Sequence, residues 1–159
     1  MLDGLARQVV GALQERGWHL ATAESCTGGG IAESITGVPG SSAVFDYGFV
    51  VYSNGAKQQL LGVSVDTLAR HGAVSGETVA EMVRGALRVS AADIAVAVSG
   101  IAGPGGGSEE KPVGTVWLGW GLQGGALSVR RECFSGGREA VRRAAVEAAL
   151  RGLLAACRT

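Results

Sequence analysis

Residues 22–30 read Thr-Ala-Glu-Ser-Cys-Thr-Gly-Gly-Gly, and they decide how the rest of the chain is interpreted. They follow a short run at residues 18–21 that favours a strand, and they precede residues 31–35, which favour a helix. A strand that enters a glycine-rich turn and then a helix leaves backbone N–H groups unpaired where the helix begins. Because these groups favour negative charge, the turn suits a bound phosphate or a developing oxyanion.

Three side chains in this turn carry a hydroxyl or a thiol, and two interpretations stay open. In the first, Ser25 is a nucleophile that lies beside its own oxyanion donors. Cys26 is the rival nucleophile, although without a well-placed histidine we expect it to pack behind the turn as a small buried residue. In the second interpretation, Ser25 or Thr27 simply caps the helix and the glycines allow close packing. The turn becomes a catalytic site only if a base lies near it.

Few side chains are available as that base. His19 lies within the strand that feeds the turn and His71 reads as a turn residue, so neither is well placed. The chain has only two lysines, against twelve arginines. Lys57 lies in the first turn of a predicted short helix, where burial and the positive helix end would both disfavour its charged form. The alternative is a solvated surface lysine. Glu24 either orients Lys57 or a substrate, or favours the helix dipole.

The order of the predicted elements favours an α/β fold. Helices are predicted over residues 2–16, 27–36, 55–61, 66–70, 77–89 and 138–156, and strands over residues 18–23, 44–52, 94–98, 113–122 and 126–134. The unbroken apolar run 94–98 suits a central strand covered on both faces, and the last two strands read as a hairpin. We therefore predict a layered α/β/α single domain over residues 1–159, with a mixed, largely parallel sheet and a late hairpin.

Composition argues against several classes of protein. Hydrophobic residues make up 47% of the chain, aromatic residues 5%, and 27 glycines are present, which together favour closely packed aliphatic layers. Fourteen basic and fourteen acidic residues cancel, so no nucleic-acid partner is indicated. No stretch approaches a membrane span or a signal peptide. Three cysteines without a CxxC pair favour a reducing compartment over disulfides or zinc. We expect a cytoplasmic protein that holds no metal.

A second glycine-rich loop, residues 103–107, follows the predicted central strand. Ligands of α/β sheets bind at the carboxyl ends of strands, where both glycine-rich loops are expected to lie. This loop could cradle a phosphate, but it contains neither a GK[ST] nor a GxGxxG motif. Near the start of the last helix, Arg138, Arg142 and Arg143 either present one guanidinium to an anion or form a solvated helix face.

A series of short motifs spans nearly the whole chain. They are TAESCTGG at residues 22–29, PGSS at 39–42, YSN at 52–54 leading to Lys57 and to LGV at 61–63, HGAVS at 71–75, GIAGP at 100–104, KPVGTV at 111–116, and FSG at 134–136 before Arg138. In this order they closely resemble the CinA C-terminal domain family, whose active members are nicotinamide-nucleotide amidases.

The resemblance implies a deamidation without metal or cofactor, in which the amide of nicotinamide mononucleotide is hydrolysed to nicotinate mononucleotide and ammonia. It implies Ser25 as the nucleophile and Lys57 as its base, with Tyr52 helping to position or relay a proton. The substrate-binding residues expected from it are Thr27, Gly28, Gly29, Ser42, Ser99, Gly100, Gly103 and Arg138. We expect a pyridine mononucleotide as the partner and a homo-oligomer, with a dimer favoured.

The chain departs from the family pattern at two positions. Ser99 stands where threonine is expected, so a hydroxyl is retained, and Gly105 replaces the usual aspartate, which bears on loop order or substrate affinity. The chain also resembles the stand-alone form of the family, some members of which lack detectable amidase activity. The competing hypothesis is therefore a nucleotide-binding or regulatory module that keeps the pocket without the chemistry.

Overall fold

A computed structural model describes residues 2–159, and Met1, at which the predicted domain begins, lies outside the described residues. Its elements are α1 (Leu2–Arg16), β1 (Leu20–Glu24), α2 (Gly30–Thr36), β2 (Phe45–Val50), α3 (Asn54–Leu61), α4 (Val65–His71), α5 (Gly76–Ser90), β3 (Ile94–Gly100), β4 (Thr115–Leu122), β5 (Leu127–Cys133) and α6 (Arg138–Cys157). A short 3₁₀ turn, Ser41–Ala43, precedes β2. Every predicted helix and strand is present, with ends displaced by a few residues.

The five strands form one mixed sheet in the order β2-β1-β3-β4-β5. Strand β1 pairs in parallel with both β2 and β3, whereas β4 runs antiparallel to β3 and forms a hairpin with β5. The predicted α/β class, the largely parallel start and the late hairpin are confirmed. Because β1, β2 and β3 are parallel, their carboxyl ends meet at one edge of the sheet.

Helices cover both faces of this sheet. Helices α1, α2 and α6 pack on one face over Leu20 and Ile94, and α5 packs on the other over Ala21 and Ala95. The alternation follows from the two-residue period of a strand, which sends successive side chains to opposite faces. As predicted for a central strand, β3 is buried along all but its last residue. The α/β/α layering thus leaves the carboxyl ends of the strands as the place for a site.

Helix α3 is held against α5 by a close backbone approach. A Cβ atom at Gly85 of α5 would overlap the carbonyl group of Leu61, so only glycine fits there. The start of α3 is fixed by Ser53, whose side chain accepts a hydrogen bond from the Ala56 N–H. These two contacts fix the helix that carries Lys57 relative to the sheet.

Candidate active site

Ser25 is the first residue after β1, and the sheet itself positions it. Its N–H group donates to the Val98 carbonyl oxygen at 3.0 Å, which continues the pairing of β1 with β3 by one residue. The residue is only 7% exposed. The Ser25 hydroxyl therefore lies at the carboxyl edge of the sheet, where sequence reasoning expected a nucleophile.

Lys57 reaches this hydroxyl from α3. Its side chain is 1% exposed, and Nζ lies 3.0 Å from Ser25 Oγ, 3.0 Å from the Val51 carbonyl oxygen and 3.1 Å from the Tyr52 carbonyl oxygen. Both carbonyl groups are available because β2 ends at Val50 and the chain leaves the sheet there, two residues earlier than predicted. The alternative of a solvated surface lysine is therefore wrong.

The burial of Lys57 shifts its amine towards the neutral form. Burial lowers the pKa of Lys57 from its ordinary value of 10.5, since a charged ammonium loses its hydration there. A neutral amine has two N–H bonds and one lone pair. In the structure Lys57 Nζ donates to Ser25 Oγ and to the Val51 and Tyr52 carbonyl oxygens, and the Ser25 hydroxyl donates to the Tyr52 carbonyl oxygen at 3.3 Å. Once the amine is neutral, its two N–H bonds can keep the two carbonyl oxygens and its lone pair can accept the Ser25 proton. The arrangement can thus remove a proton from a buried serine hydroxyl.

Cys26, the rival nucleophile, is buried in the core on the α6 side of the sheet. Burial raises the pKa of its thiol to about 11, so the thiolate is scarce near neutral pH. Because only the thiolate is a strong nucleophile, Cys26 is poorly suited to the chemistry. Its environment is that of a small packing residue.

Glu24 is a fully buried carboxylate that caps α2. It accepts hydrogen bonds from the Thr27 hydroxyl at 2.6 Å and from the N–H groups of Ile31 and Ala32 at 2.9 and 3.0 Å. The expectation that Ser25 or Thr27 caps this helix is wrong, because the N-cap position is Gly29 and it makes no side-chain cap bond. The helix also begins at Gly30 and not at residue 27. Glu24 therefore caps the helix and holds the turn, and within residues 2–159 it makes no hydrogen bond or ion pair with Lys57.

A side chain of the last helix, α6, holds the turn of residues 26–29 by hydrogen bonds to its backbone. Arg142 donates from Nε to the Cys26 carbonyl oxygen at 3.0 Å and from Nη2 to the Thr27 carbonyl oxygen at 3.2 Å. Sequence reasoning missed this role and left Arg142 among three undifferentiated arginines. The signal was the spacing: Arg138 and Arg142 are four residues apart and share a helix face, whereas Arg143 does not.

Arg138 joins two other predicted residues at the rim of the site. It donates from Nη1 to the Gly103 carbonyl oxygen at 2.7 Å and from Nη2 to the Tyr52 hydroxyl at 3.0 Å. The Tyr52 side chain is 60% exposed, so its phenol lies at the rim while its backbone carbonyl contacts the lysine. The structure thus brings Tyr52 to the site by its backbone carbonyl and by its hydroxyl at the rim, and the proton-positioning role of its side chain stays a prediction.

The predicted residues on β3 and in the following loop lie at the same sheet edge. Glu24 of β1 pairs with Val98 of β3, so Ser99 and Gly100 lie one and two residues beyond that pair. Ser99 is buried. Gly105, the second departure from the family pattern, is exposed in the loop that follows. The carboxyl ends of β1 and β3 and the end of β2 thus assemble most of the predicted set.

Ser42 is not brought into this site. It lies in the turn before β2, and β2 runs parallel to β1, with Phe45 opposite Leu20. Ser42 is therefore at the amino edge of the sheet, about 16 Å of strand length away from Ser25. Within one chain the structure therefore does not bring Ser42 to Ser25, and its part in substrate binding stays a prediction. Its motif is adjacent to the site motifs in sequence, but the parallel crossover separates the two in space.

Neither histidine lies at the site. The His19 ring contacts Asp46 at the amino edge of the sheet, and the His71 ring lies 3.6 Å from Glu77 on the surface. Within residues 2–159 no group of three or more His, Cys, Asp or Glu side chains is arranged to hold a metal ion. In the same residues, no helix combines the length and apolar character that crossing a bilayer requires.

The fold and the site define an α/β domain with a buried serine–lysine pair at the carboxyl edge of its sheet. The family model of the CinA C-terminal domain matches residues 2–157, and the chain belongs to that family. The resemblance seen in the motifs is confirmed.

Relatives and solved structures agree with this assignment. The nicotinamide-nucleotide amidohydrolase PncC of Escherichia coli (strain K12) is 58% identical over 149 residues, covering 94% of this chain and 90% of the relative. The protein of the same name from Pseudomonas putida is 61% identical over 136 residues, covering 86% and 84%. The crystal structure of a CinA superfamily protein from Klebsiella pneumoniae superposes with a TM-score of 0.95 at 43% identity, covering 99% and 98%. The competence/damage inducible protein CihA from Agrobacterium tumefaciens gives 0.95 at 48% identity, covering 97% and 94%.

Proposed function

We propose that this protein is a nicotinamide-nucleotide amidase that hydrolyses the carboxamide of nicotinamide mononucleotide to nicotinate mononucleotide and ammonia. The observation that carries the proposal is the buried Lys57 amine 3.0 Å from Ser25 Oγ. The names of the relatives from E. coli and P. putida supply the substrate, because the geometry alone supports amide hydrolysis without specifying the amide.

In the first half of the reaction Ser25 attacks the carboxamide carbon while Lys57 Nζ accepts the hydroxyl proton. A C–O bond forms and the carbonyl π electrons move to oxygen, which gives a tetrahedral oxyanion. Its collapse breaks the C–N bond. Lys57 returns the proton to the departing nitrogen, so ammonia leaves and a nicotinoyl ester of Ser25 remains.

In the second half a water molecule attacks the ester carbon, and Lys57 accepts the water proton. Collapse of the second oxyanion breaks the bond to Ser25 Oγ, and the proton returns from Lys57 to the serine. The product is a carboxylic acid, which gives its proton to the released ammonia, so carboxylate and ammonium are the net products and the protein ends in its starting protonation state. The reaction is a hydrolysis, so atoms and electrons balance with water alone and no cofactor is required.

The oxyanion requires hydrogen-bond donors, and the turn after Ser25 leaves three of its N–H groups without a partner. Gly28 N–H donates to the Ser25 carbonyl oxygen, and the N–H groups of Ile31 and Ala32 in α2 donate to Glu24. Within residues 2–159 the N–H groups of Cys26, Thr27 and Gly29 have no hydrogen bond to another residue, and we assign the oxyanion to those of Cys26 and Thr27, which are nearest to Ser25 in the chain. One good donor of this kind contributes roughly 3–4 kcal/mol to the transition state.

For the rest of the substrate we propose the residues around the second loop. Ser99 and the backbone of Gly100 and Gly103 lie beside the serine at the carboxyl edge. Arg138 is an exposed guanidinium at the rim, which suits a nucleotide phosphate because it can donate several charge-assisted hydrogen bonds. Gly28 and Gly29, whose φ angles are 59° and 102°, let the backbone of the turn approach the pyridine ring closely.

A second candidate function is a nucleotide-binding module without turnover, favoured by Gly105 in place of the usual acidic residue. One experiment decides between the two: release of ammonia from nicotinamide mononucleotide by the purified protein. The amidase proposal expects steady turnover, lowered about 10⁴-fold or more in Ser25→Ala. Cys26→Ala is the matched control and should retain activity. Binding of the nucleotide without ammonia release over hours would support the module, and loss of activity in Cys26→Ala alone would move the nucleophile to Cys26.

We also propose a cytoplasmic homodimer. The edge strand β2 presents Tyr47 and Val50 to solvent, and Tyr52 follows just beyond it, so an exposed apolar patch extends along that edge. Sedimentation velocity at micromolar concentration should give twice the chain mass of 16.0 kDa. A single species at the chain mass would contradict it.

A further inference from the structure

The turn of residues 26–29 has two backbone hydrogen bonds of its own, from Gly28 N–H to the Ser25 carbonyl oxygen and from Gly30 N–H to the Thr27 carbonyl oxygen. It lies between β1 and α2, outside both, and Gly28 and Gly29 both adopt positive φ angles, a region that glycine enters without a steric penalty. An oxyanion site needs its donors fixed before the reaction, because displacement of about 1 Å can cost about a hundredfold in rate. Neither backbone bond uses the peptide group between Cys26 and Thr27, so the orientation of that group depends on side chains around the turn.

Arg142 fixes the peptide groups of the turn from the α6 side. Its two hydrogen bonds orient the carbonyl groups of Cys26 and Thr27 toward α6. A trans peptide is planar, with C=O and N–H pointing in opposite directions, so the Thr27 and Gly28 N–H groups must point away from α6. The Gly28 N–H closes on Ser25, and the Thr27 N–H is left directed away from the arginine.

Glu24 holds the same turn from its other end. The Thr27 hydroxyl and the first N–H groups of α2 all donate to this buried carboxylate. Thr27 is thus held twice, at its carbonyl by Arg142 and at its hydroxyl by Glu24. These hydrogen bonds to its side chain and its backbone together fix the direction of the Thr27 N–H group.

We infer that Arg142 is a positioning residue of the reaction, which together with Glu24 holds the Thr27 N–H group in the orientation that the oxyanion requires. The inference rests on the proposed function for the identity of the oxyanion. It does not require Arg142 to touch the substrate, because both its hydrogen bonds end on backbone oxygens, and the Cys26 oxygen points away from the Thr27 N–H of the same peptide group.

The test compares three variants on α6. Arg142→Met keeps the stem and loses both hydrogen bonds, Arg142→Lys keeps the charge but not the two-pronged geometry, and Arg143→Met is the matched control on the neighbouring residue. For ammonia release from nicotinamide mononucleotide we expect kcat to fall about 10- to 100-fold in Arg142→Met, with KM changed less than about threefold. Arg142→Lys should lie between, and Arg143→Met should match the unmodified protein.

Two results would overturn the inference. In one, kcat of Arg142→Met equals that of Arg143→Met. In the other, the whole loss appears in KM, which would make Arg142 a substrate-binding residue. If Arg142 only stabilised the fold, Arg142→Met would lower the melting temperature without lowering kcat selectively over KM. If Arg142→Met does not fold, the same two criteria apply to Arg142→Lys.

A second readout separates this inference from the proposed substrate. An activated serine displaces fluoride from a fluorophosphonate: the O–P bond forms, the P–F bond breaks, and Lys57 takes the serine proton. The phosphoryl oxygen needs the same donors as the oxyanion, so the rate at which Ser25 is labelled is measured by mass spectrometry. If nicotinamide mononucleotide is not a substrate, a slower labelling of Arg142→Met than of Arg143→Met still supports the inference. Equal labelling rates, or no labelling of Ser25 in the unmodified protein, would overturn it.

Discussion

The two ends of strand β1 carry polar groups of opposite character. At the amino end, His19 and Asp46 form a pair at 2.7 Å whose side chains are 46% and 42% exposed. At the carboxyl end, Glu24, Ser25 and Lys57 are almost fully buried, and each has hydrogen-bond partners inside the protein. A solvated ion pair contributes little to the stability of the fold, whereas burial of an amine disfavours its charged form. The burial of these groups at the carboxyl end therefore lowers the stability of the fold. The same burial lowers the pKa of Lys57, which its proposed role as a base requires.

The largest effect is expected from replacing the base at the carboxyl end. Lys57→Arg keeps a positive charge but cannot lose its proton near neutral pH, so kcat should fall about 10³-fold or more. Ammonia release measures it. A variant that retains most of its activity would show that position 57 supplies charge and not proton transfer. The burial that distinguishes the carboxyl end of β1 from its amino end would then play no part in the reaction.

The burial of Lys57 should also affect how the free energy of unfolding depends on pH. Its pKa is lowered in the folded protein, so between that pKa and 10.5 the unfolded chain binds more protons than the folded one. The free energy of unfolding should therefore rise with pH across this window, and the burial cost is fully present below it. Urea unfolding at several pH values, compared with Lys57→Met, measures the difference. If both proteins show the same pH dependence, Lys57 does not titrate with a lowered pKa.

At the amino end we expect only small changes in activity. Ser42→Ala should leave kcat/KM for nicotinamide mononucleotide within about twofold, because Ser42 lies about 16 Å of strand length from Ser25 in the same chain. The assay is the same ammonia release. A loss of tenfold or more would show that Ser42 reaches a site after all, and since its own site is too distant, that site would belong to a second copy of the chain.

The smallest effect is expected for the exposed pair. Asp46→Asn removes one charge from a solvated contact, so the free energy of unfolding should change by less than about 1 kcal/mol and kcat should stay unchanged. Thermal and urea unfolding at low salt measure this. A change several times larger would mean that the amino end is as tightly coupled as the carboxyl end.

Local patterns were sufficient to predict the elements, but not the side chains that cross between them. The strand–turn–helix around Ser25 and the apolar central strand are visible in short windows, since periodicity and glycine content are local properties. The hydrogen bonds of Arg142 to Cys26 and Thr27 join residues that are 116 and 115 positions apart in the sequence. The spacing of the arginines on α6 was therefore the only local signal for them.

The positions of Ser42 and Tyr52 relative to Ser25 could not be predicted from the sequence, for a common reason. A motif says which residues occur together in the chain, but the direction of a crossover decides which sheet edge they reach. For Ser42 the parallel pairing of β1 with β2 places it at the opposite edge. For Tyr52 the early end of β2 turns the carbonyl group inward and leaves the phenol at the rim. Neither fact can be read from residue type.

The central claim is that burial makes Lys57 a base for Ser25, and its pKa can be measured directly. The chain has two lysines, so ¹³Cε labelling gives two lysine signals, and Lys111→Arg assigns them. The account predicts that the Lys57 signal titrates below 10.5, at the same pH at which kcat/KM rises as the amine loses its proton. A Lys57 signal that titrates at or above 10.5, or a rise in kcat/KM at a pH unrelated to it, would contradict the account.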